Sequence, residues 1–599
     1  MPAPAHQPAD LDVFTCPLDG IRLVEASAGT GKTWNICGLY LRLLLERDIP
    51  VDGLLVVTFT KAATAELSSR IRARIVDSLR VLDGGAADGD PFVPELIRTV
   101  TGRGVSADVM ATRLRHALQT FDEAAIFTIH GFCQRALADT PFAAGLPYAL
   151  ELLEDDRALR LEATQDFWRR EIAGGALAPA LAEQLLQQGD SPDGWAEILG
   201  RDMARPLAER RWDEAEVSAG DIEAAWQRAA AAYDMARRHW QVDGEPAWAA
   251  LVAALDGLHK GTYKPEAVEK ARAQWTAWLD AGDAAHPLPG EKDSKLHLLA
   301  ASTLADKTTK EGAKKGIAPP RHGFFEALDE VLAARAAAEQ CLEAARLALL
   351  RRFVAETSAE LRRRKREQRQ IAFDDILWNA HDALTSGRQP WLATALHARF
   401  PAALIDEFQD TDPLQFAIFD RVYNDEGRHG SLFLVGDPKQ AIYSFRSADL
   451  HTYLAARDRA DARYTLRRNQ RSSRPLIEAC NRLFGANPAV FMLQGLDYAR
   501  VEAGERQRAV FEDDTESGTS PAALHLWRIP RDEALEADEG EGGGNRLPRA
   551  QALQRAALAR AAEIVFLSSE PYPFRAQHLR QLTERLPGIR AALIDGEMV

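Results

Sequence analysis

The sequence predicts an α/β protein: a parallel sheet built around a phosphate-holding loop, a large all-helical insertion, and part of a second α/β unit. Three observations predict it. Residues 21–45 read as a short apolar strand, a small-residue loop and an amphipathic helix. Strand and helix signals alternate over residues 11–150 and resume at 371. Between them lies a stretch rich in Ala, Leu, Arg and Glu with almost no β-branched runs.

The first strand is Ile21–Val24. Its loop, Ala26-Ser27-Ala28-Gly29-Thr30-Gly31, leads into Lys32, Thr33, Trp34 and a helix through Leu45. Backbone N–H groups of such a loop, the helix dipole and one lysine together suit a polyphosphate. The template is G-x-x-x-x-G-K-S/T; here Ala26 replaces the first glycine, which costs little where a methyl group fits. Leu54–Thr58 is a second buried strand, Lys61–Leu82 a helix, residues 83–92 a loop, and Ala125–Ile129 a further strand, after a helical stretch around Ala111–Leu118.

Residues 151–370 form the insertion, with eight tryptophans (168, 195, 212, 226, 240, 248, 275, 278) at core-like spacing. Within it, Lys292–Lys315 is lysine-rich and poorly periodic: a solvated loop, or a phosphate-contacting surface. Arg362–Arg369 ends the insertion as a basic helix, either solvated or set against a nucleic-acid backbone. Beyond 371, Leu404–Ile405 precedes Asp406-Glu407 and Leu432–Val435 precedes Gly436-Asp437, both apolar strands ending in polar residues. From about 453 a second unit is expected: Tyr464–Leu466, a helix at Pro475–Leu483, the strand Ala523–Trp527, an acidic glycine-rich loop at 532–546, and a helix at Arg549–Leu567.

Composition narrows the classes. The net charge of −15 argues against a general nucleic-acid coat protein, but residues 501–545 alone carry 12 acidic and 4 basic side chains, so a local basic groove stays open. No apolar run is long enough to span a membrane, and the start lacks the pattern of a signal peptide. Five scattered cysteines without metal-ligand spacing fit a reducing cytoplasm.

A bound polyphosphate needs a divalent cation, and its hydrolysis needs a group that orients water. Asp406 at a strand tip suits the cation and Glu407 the water. Six segments then occur in order: EASAGTGKT, VVTFTKAATAEL, IFTIHGFCQRAL, LIDEFQDTDPLQ, LVGDPKQAIYSFRSAD and LRRNQRSS. Together they resemble the motifs of superfamily 1 helicases of the UvrD/Rep group. Within that group they are similar to the RecB branch, the helicase–nuclease subunits of exodeoxyribonuclease V, with AddA-like and UvrD-like helicases as alternatives.

The resemblance implies two RecA-like domains: 1A over 1–150 and 371–452, helical domain 1B over 151–370, and a partial 2A with an atypical tail over 453–599. It implies ATP and Mg²⁺ as ligands. Residues Ala26 to Trp34 would hold the nucleotide, with Thr33 and Asp406 on the metal and Lys32, Glu407, Gln440 and Arg471 on the reacting phosphate. Gln470 stands where relatives commonly place an adenine-stacking aromatic, so Trp34 is the expected replacement. Thr58, Phe59, Thr60, Thr128, His130, Phe445 and Arg446 match DNA-contacting positions. The implied role is 3′→5′ translocation on single-stranded DNA from duplex ends, with RecC-like and RecD-like subunits, in double-strand break repair. Chains of this branch run well beyond 599 residues; without later motifs or a nuclease carboxylate cluster, a truncated motor portion with weak hydrolysis is expected, or else a non-catalytic fragment that only binds DNA or nucleotide.

Overall fold

The fold is taken from a computed structural model, which describes residues 8–86, 91–140, 150–174, 177–212, 217–282, 295–424, 430–442, 449–487, 489–505 and 553. The chain divides into two compact units, 1–471 with 491–497, and 472–490 with 498–599.

The strands of the first unit are β1 (Ala9–Asp10), β2 (Gly20–Ala26), β3 (Leu54–Thr58), β4 (Ile126–Thr128), β5 (Glu151–Leu153), β6 (Gln370–Ala372), β7 (Ala402–Ile405), β8 (Ser431–Gly436) and β9 (Ala462–Leu466). Seven form one sheet in the order β1-β9-β2-β8-β7-β3-β4, with every described pairing parallel. Strands β8, β7 and β3 are buried along their whole length because helices cover both faces. Leu23, Leu55, Val57, Ile405 and Leu434 point into one core; Val24, Leu54, Val56, Leu404 and Val435 point into the other. That alternation follows from the two-residue period of a strand.

Tyr464–Leu466 does not open a second unit: β9 pairs with β2 in register Val24↔Tyr464, so the first sheet extends past 453 and its unit runs to Arg471. The strand expected at Ala125–Ile129 stops at Thr128, and Ile129 opens the helix Ile129–Asp139. Ala26 ends β2 with its methyl group buried in the core, so this position has no need of glycine.

The insertion leaves and re-enters the sheet body through β5 and β6, which pair in parallel (Leu152↔Ile371). Neither was visible as a strand in the sequence. Its long elements are the helices Ala219–Ala254 and Gly323–Glu367. All eight tryptophans pack in or against its apolar clusters. The lysine-rich segment is not a loop over its described part: Leu296–Leu299, Ala301–Asp306 and Lys310–Lys314 are helical, and Leu296, Leu298, Leu299 and Leu304 are buried. Arg362–Arg369 is not a free basic face either. Lys365 is 3% exposed and its Nζ lies 2.6 Å from Asp156 and 2.7 Å from Asp375. Arg363 and Arg364 pair with Glu360, and Arg362 sits 4.6 Å above the Trp378 ring.

In the second unit, the helix Arg474–Gly485 presents Asn481, which donates to the Val501 carbonyl and accepts from the Val501 N–H and the Tyr498 hydroxyl. The elements expected at Ala523–Trp527 and Arg549–Leu567 lie outside the described residues, apart from Leu553. Among the described residues no helix is long and apolar enough to cross a membrane.

Candidate functional site

The ends of β2, β7 and β8 meet at one edge of the sheet. After β2 the chain turns through Gly29 (φ 77°) and Gly31 (φ 90°), left-handed conformations that glycine adopts without steric cost. Gly31 caps the helix Lys32–Glu46, so the N-terminus of this helix faces the loop. Lys32 Nζ reaches Glu407 Oε2 at 2.5 Å.

Glu407 follows β7 in a left-handed conformation (φ 51°), a strained corner for a residue with a side chain. Its neighbour Asp406 accepts the Glu407 N–H at 2.9 Å. Burial, and next the Glu407 carboxylate, push the Asp406 carboxyl up to about 6. A buried carboxylate so disfavoured suits a divalent cation, which would offset both effects. Among the described residues there is no cluster of three or more His, Cys, Asp or Glu placed for a metal.

Gln440 lies in the short helical turn Pro438–Gln440 after β8 and donates to Asp437 at 2.7 Å. Asp437 is joined to Glu407 by a residue the sequence did not single out. Gln409, 2% exposed, donates to Glu407 Oε2 at 2.8 Å and accepts the Asp437 N–H at 2.9 Å. Its place in DEFQD, two positions after the carboxylate, was the available signal. Lys32, Glu407, Gln409, Asp437 and Gln440 thus form one hydrogen-bonded chain.

The segment at Arg471 also reaches the loop. Gln470 N–H donates to the Gly29 carbonyl at 2.7 Å, and Asn469 Nδ2 donates to the Ala28 carbonyl at 2.8 Å. Trp34 is 36% exposed and packs edge-on against Phe92 at 4.6 Å and against Phe14 at 6.2 Å.

The expected DNA residues divide. Thr58 is 1% exposed, so its side chain faces the interior and not a passing strand. Thr60 and Thr128 are helix caps, accepting from Ala63 N–H and Gly131 N–H. Phe59 and His130 line a cleft of about 990 Å³ between the sheet edge and Met203–Ala208 of the insertion. Burial lowers the His130 pKa despite the nearby Asp374 carboxylate. Phe373, 47% exposed and edge-on to His130, lines the same cleft and was missed. Its signal was position alone, an aromatic where the α/β pattern resumes. Phe445 and Arg446 lie outside the described residues.

The UvrD/REP helicase N-terminal domain model matches residues 7–461. The chain is similar to RecBCD enzyme subunit RecB of Escherichia coli (strain K12), 36% identical over 86% of this chain and 42% of that protein. It is also similar to RecB of Haemophilus influenzae, at 31% over 82% of this chain and 42% of that protein. RecB of Mycobacterium tuberculosis (strain H37Rv) is 29% identical over 77% of this chain and 29% of that protein. The chain therefore spans less than half the length of these curated relatives. The family match covers most of the chain and includes the loop, the carboxylate pair and the β8 turn that meet at the sheet edge, so the chain belongs to the UvrD/REP helicase family.

Proposed function

We propose that this chain is the motor portion of an ATP-dependent DNA helicase of the RecB type. In this reading it moves 3′→5′ on single-stranded DNA entered from duplex ends, with RecC-like and RecD-like subunits, in double-strand break repair and recombination. Residues 1–150 and 371–471 are domain 1A, 151–370 domain 1B, and the remainder belongs to domain 2A. The observation that carries the reading is the continuous bonding from Lys32 through Glu407 and Gln409 to Asp437 and Gln440.

Each residue has a chemical role in ATP hydrolysis. Loop amides from Ser27 to Gly31 receive the phosphates, and Lys32 exchanges its Glu407 partner for a phosphate oxygen. Glu407, released from Lys32 but still held by Gln409, orients a water toward the γ-phosphate and takes its proton. Thr33 and Asp406 are the residues to hold Mg²⁺, which supplies neutralising charge to the phosphate oxygens. Gln440 and Arg471 would bond the same phosphate, Arg471 with a planar fork. Phe59, His130 and Phe373 offer rings to passing bases without reading sequence.

The test is ATP turnover by the 599-residue chain with and without single-stranded DNA, beside Lys32→Ala. Weak turnover that rises with DNA and is lost in the variant is expected. Equal turnover in the two proteins would leave a binding module, not a motor.

A further inference from the structure

Asn469 stands outside every role assigned so far, yet its amide faces two ways. Nδ2 donates to the Ala28 carbonyl at 2.8 Å, inside the phosphate loop. Oδ1 accepts the Arg471 N–H at 2.8 Å, closing a turn within its own segment. Between them, Gln470 N–H donates to the Gly29 carbonyl at 2.7 Å. Three hydrogen bonds therefore clasp residues 469–471 to one another and to residues 28–29, some 440 positions away in sequence.

The fit is close. A Cβ built on Gly29 would lie 2.5 Å from Arg471 Cβ and 2.9 Å from Asn469 Oδ1. The stem of Arg471 thus rests against the loop backbone at Gly29. Arg471 is exposed, and holding its backbone through Asn469 fixes the point from which its side chain reaches, so the guanidinium searches a smaller volume beside the loop before a ligand arrives.

We propose that Asn469 is a positioning residue that fixes Arg471 to the phosphate loop and so lets the site distinguish a nucleoside triphosphate from a diphosphate. The proposal rests on the nucleotide-site reading above. Arg471 then bonds the terminal phosphate, which only the triphosphate carries, while loop amides and Lys32 bind what both ligands share.

The experiment is equilibrium binding of ADP and of a non-hydrolysable ATP analogue, each with Mg²⁺, to the full 599-residue chain. The variants are Lys32→Ala, Arg471→Ala, Asn469→Ala, Asn469→Asp and the double variant Asn469→Ala/Arg471→Ala. Asn469→Ala and Arg471→Ala should each weaken the triphosphate analogue about tenfold while ADP affinity stays within about twofold. The double variant should be no weaker than Arg471→Ala, because one residue acts through the other. Asn469→Asp keeps the acceptor for Arg471 N–H but sets a carboxylate against the Ala28 carbonyl, so it should fail like alanine.

Full rescue by Asn469→Asp would overturn the clasp to the loop, leaving only a local turn. Equal loss of both nucleotides, no loss of either, or additive losses in the double variant would also overturn the proposal. If wild type and Lys32→Ala bind both nucleotides equally, the nucleotide site itself is wrong and the proposal falls with it.

Discussion

The nucleotide end of the sheet and the helical insertion are held together by different means. At the sheet end the decisive contacts are single hydrogen bonds between distant residues: Lys32 to Glu407, Gln409 to Asp437, Asn469 to Ala28. In the insertion they are apolar packing around Trp195, Trp275 and Trp278, with ion pairs such as Arg335–Glu339 and Arg363–Glu367 one helical turn apart. Titration follows the same division. In the insertion, hydrogen bonds from Arg363 and then Arg364 pull the Glu360 carboxyl down to about 2. At the sheet end, burial pushes Asp406, Asp410 and Asp412 up to about 6. In one region an arginine partner lowers the carboxyl pKa; in the other, burial raises it.

Lys365 breaks this pattern. It belongs to the insertion's longest helix but is buried and paired like a sheet-end residue, between Asp156 and Asp375. Asp375 also accepts the Ala372 N–H, anchoring the helix that carries Phe373 into the cleft. Lys365→Ala would leave the buried Asp375 carboxylate without its cation, while Asp156 keeps Arg160. A loss of about 3–5 kcal/mol in unfolding free energy is expected, measured by chemical denaturation. Nucleotide affinity of the folded variant should stay unchanged. If affinity fell in step with stability, the two regions would not be separable as described.

How far the sequence could reach depended on locality. β3, β7 and β8 were legible because a strand buried on both faces must be an unbroken apolar run, and β2, interrupted by Arg22 and Glu25, was legible from the glycine loop that follows it. β9 was recognisable as a strand but was given to the wrong unit, since Val24↔Tyr464 pairing leaves no trace in either segment. Leu296, Leu298, Leu299 and Leu304 looked like stray apolar residues in a lysine-rich stretch, because their partners lie in helices far along the chain. Motif identities gave Lys32, Asp406, Glu407 and Gln440, whereas Gln409 and Asn469 have only an amide to announce them. An amide that bridges two distant backbones reads like one that faces solvent.

Asp412 tests the titration contrast. It caps the helix Pro413–Tyr423, accepting the Gln415 N–H at 2.7 Å, and burial raises its pKa to about 6. An unfolded aspartate titrates near roughly 4. Between these values the folded state binds more protons than the unfolded state, so stability falls as pH rises through the window. Asp412→Asn keeps a capping oxygen and removes the titration. The variant should match wild type near about pH 4 and exceed it by on the order of 2 kcal/mol above pH 6. Parallel stability curves for the two proteins would show that Asp412 does not carry the slope.

The smallest expected effect concerns the one residue type the two regions share most visibly. Trp195 and Trp275 are buried, and their role is volume. Trp34 is a third exposed, one position after the loop's Thr33, and held on edge by Phe92 and Phe14. An aromatic ring fixed in this way offers a face to a purine, and Gln470 supplies none. Trp34→Ala should weaken ATP and ADP alike by about 1 kcal/mol, roughly fivefold in Kd, because both carry the base. Inorganic triphosphate, which lacks it, should bind the variant and wild type equally. Trp275→Ala should do the reverse, lowering the unfolding midpoint while leaving all three affinities intact. If Trp34→Ala lowered the unfolding midpoint and left nucleotide binding untouched, Trp34 would be a core residue after all, and the sheet end would have to find its base contact elsewhere.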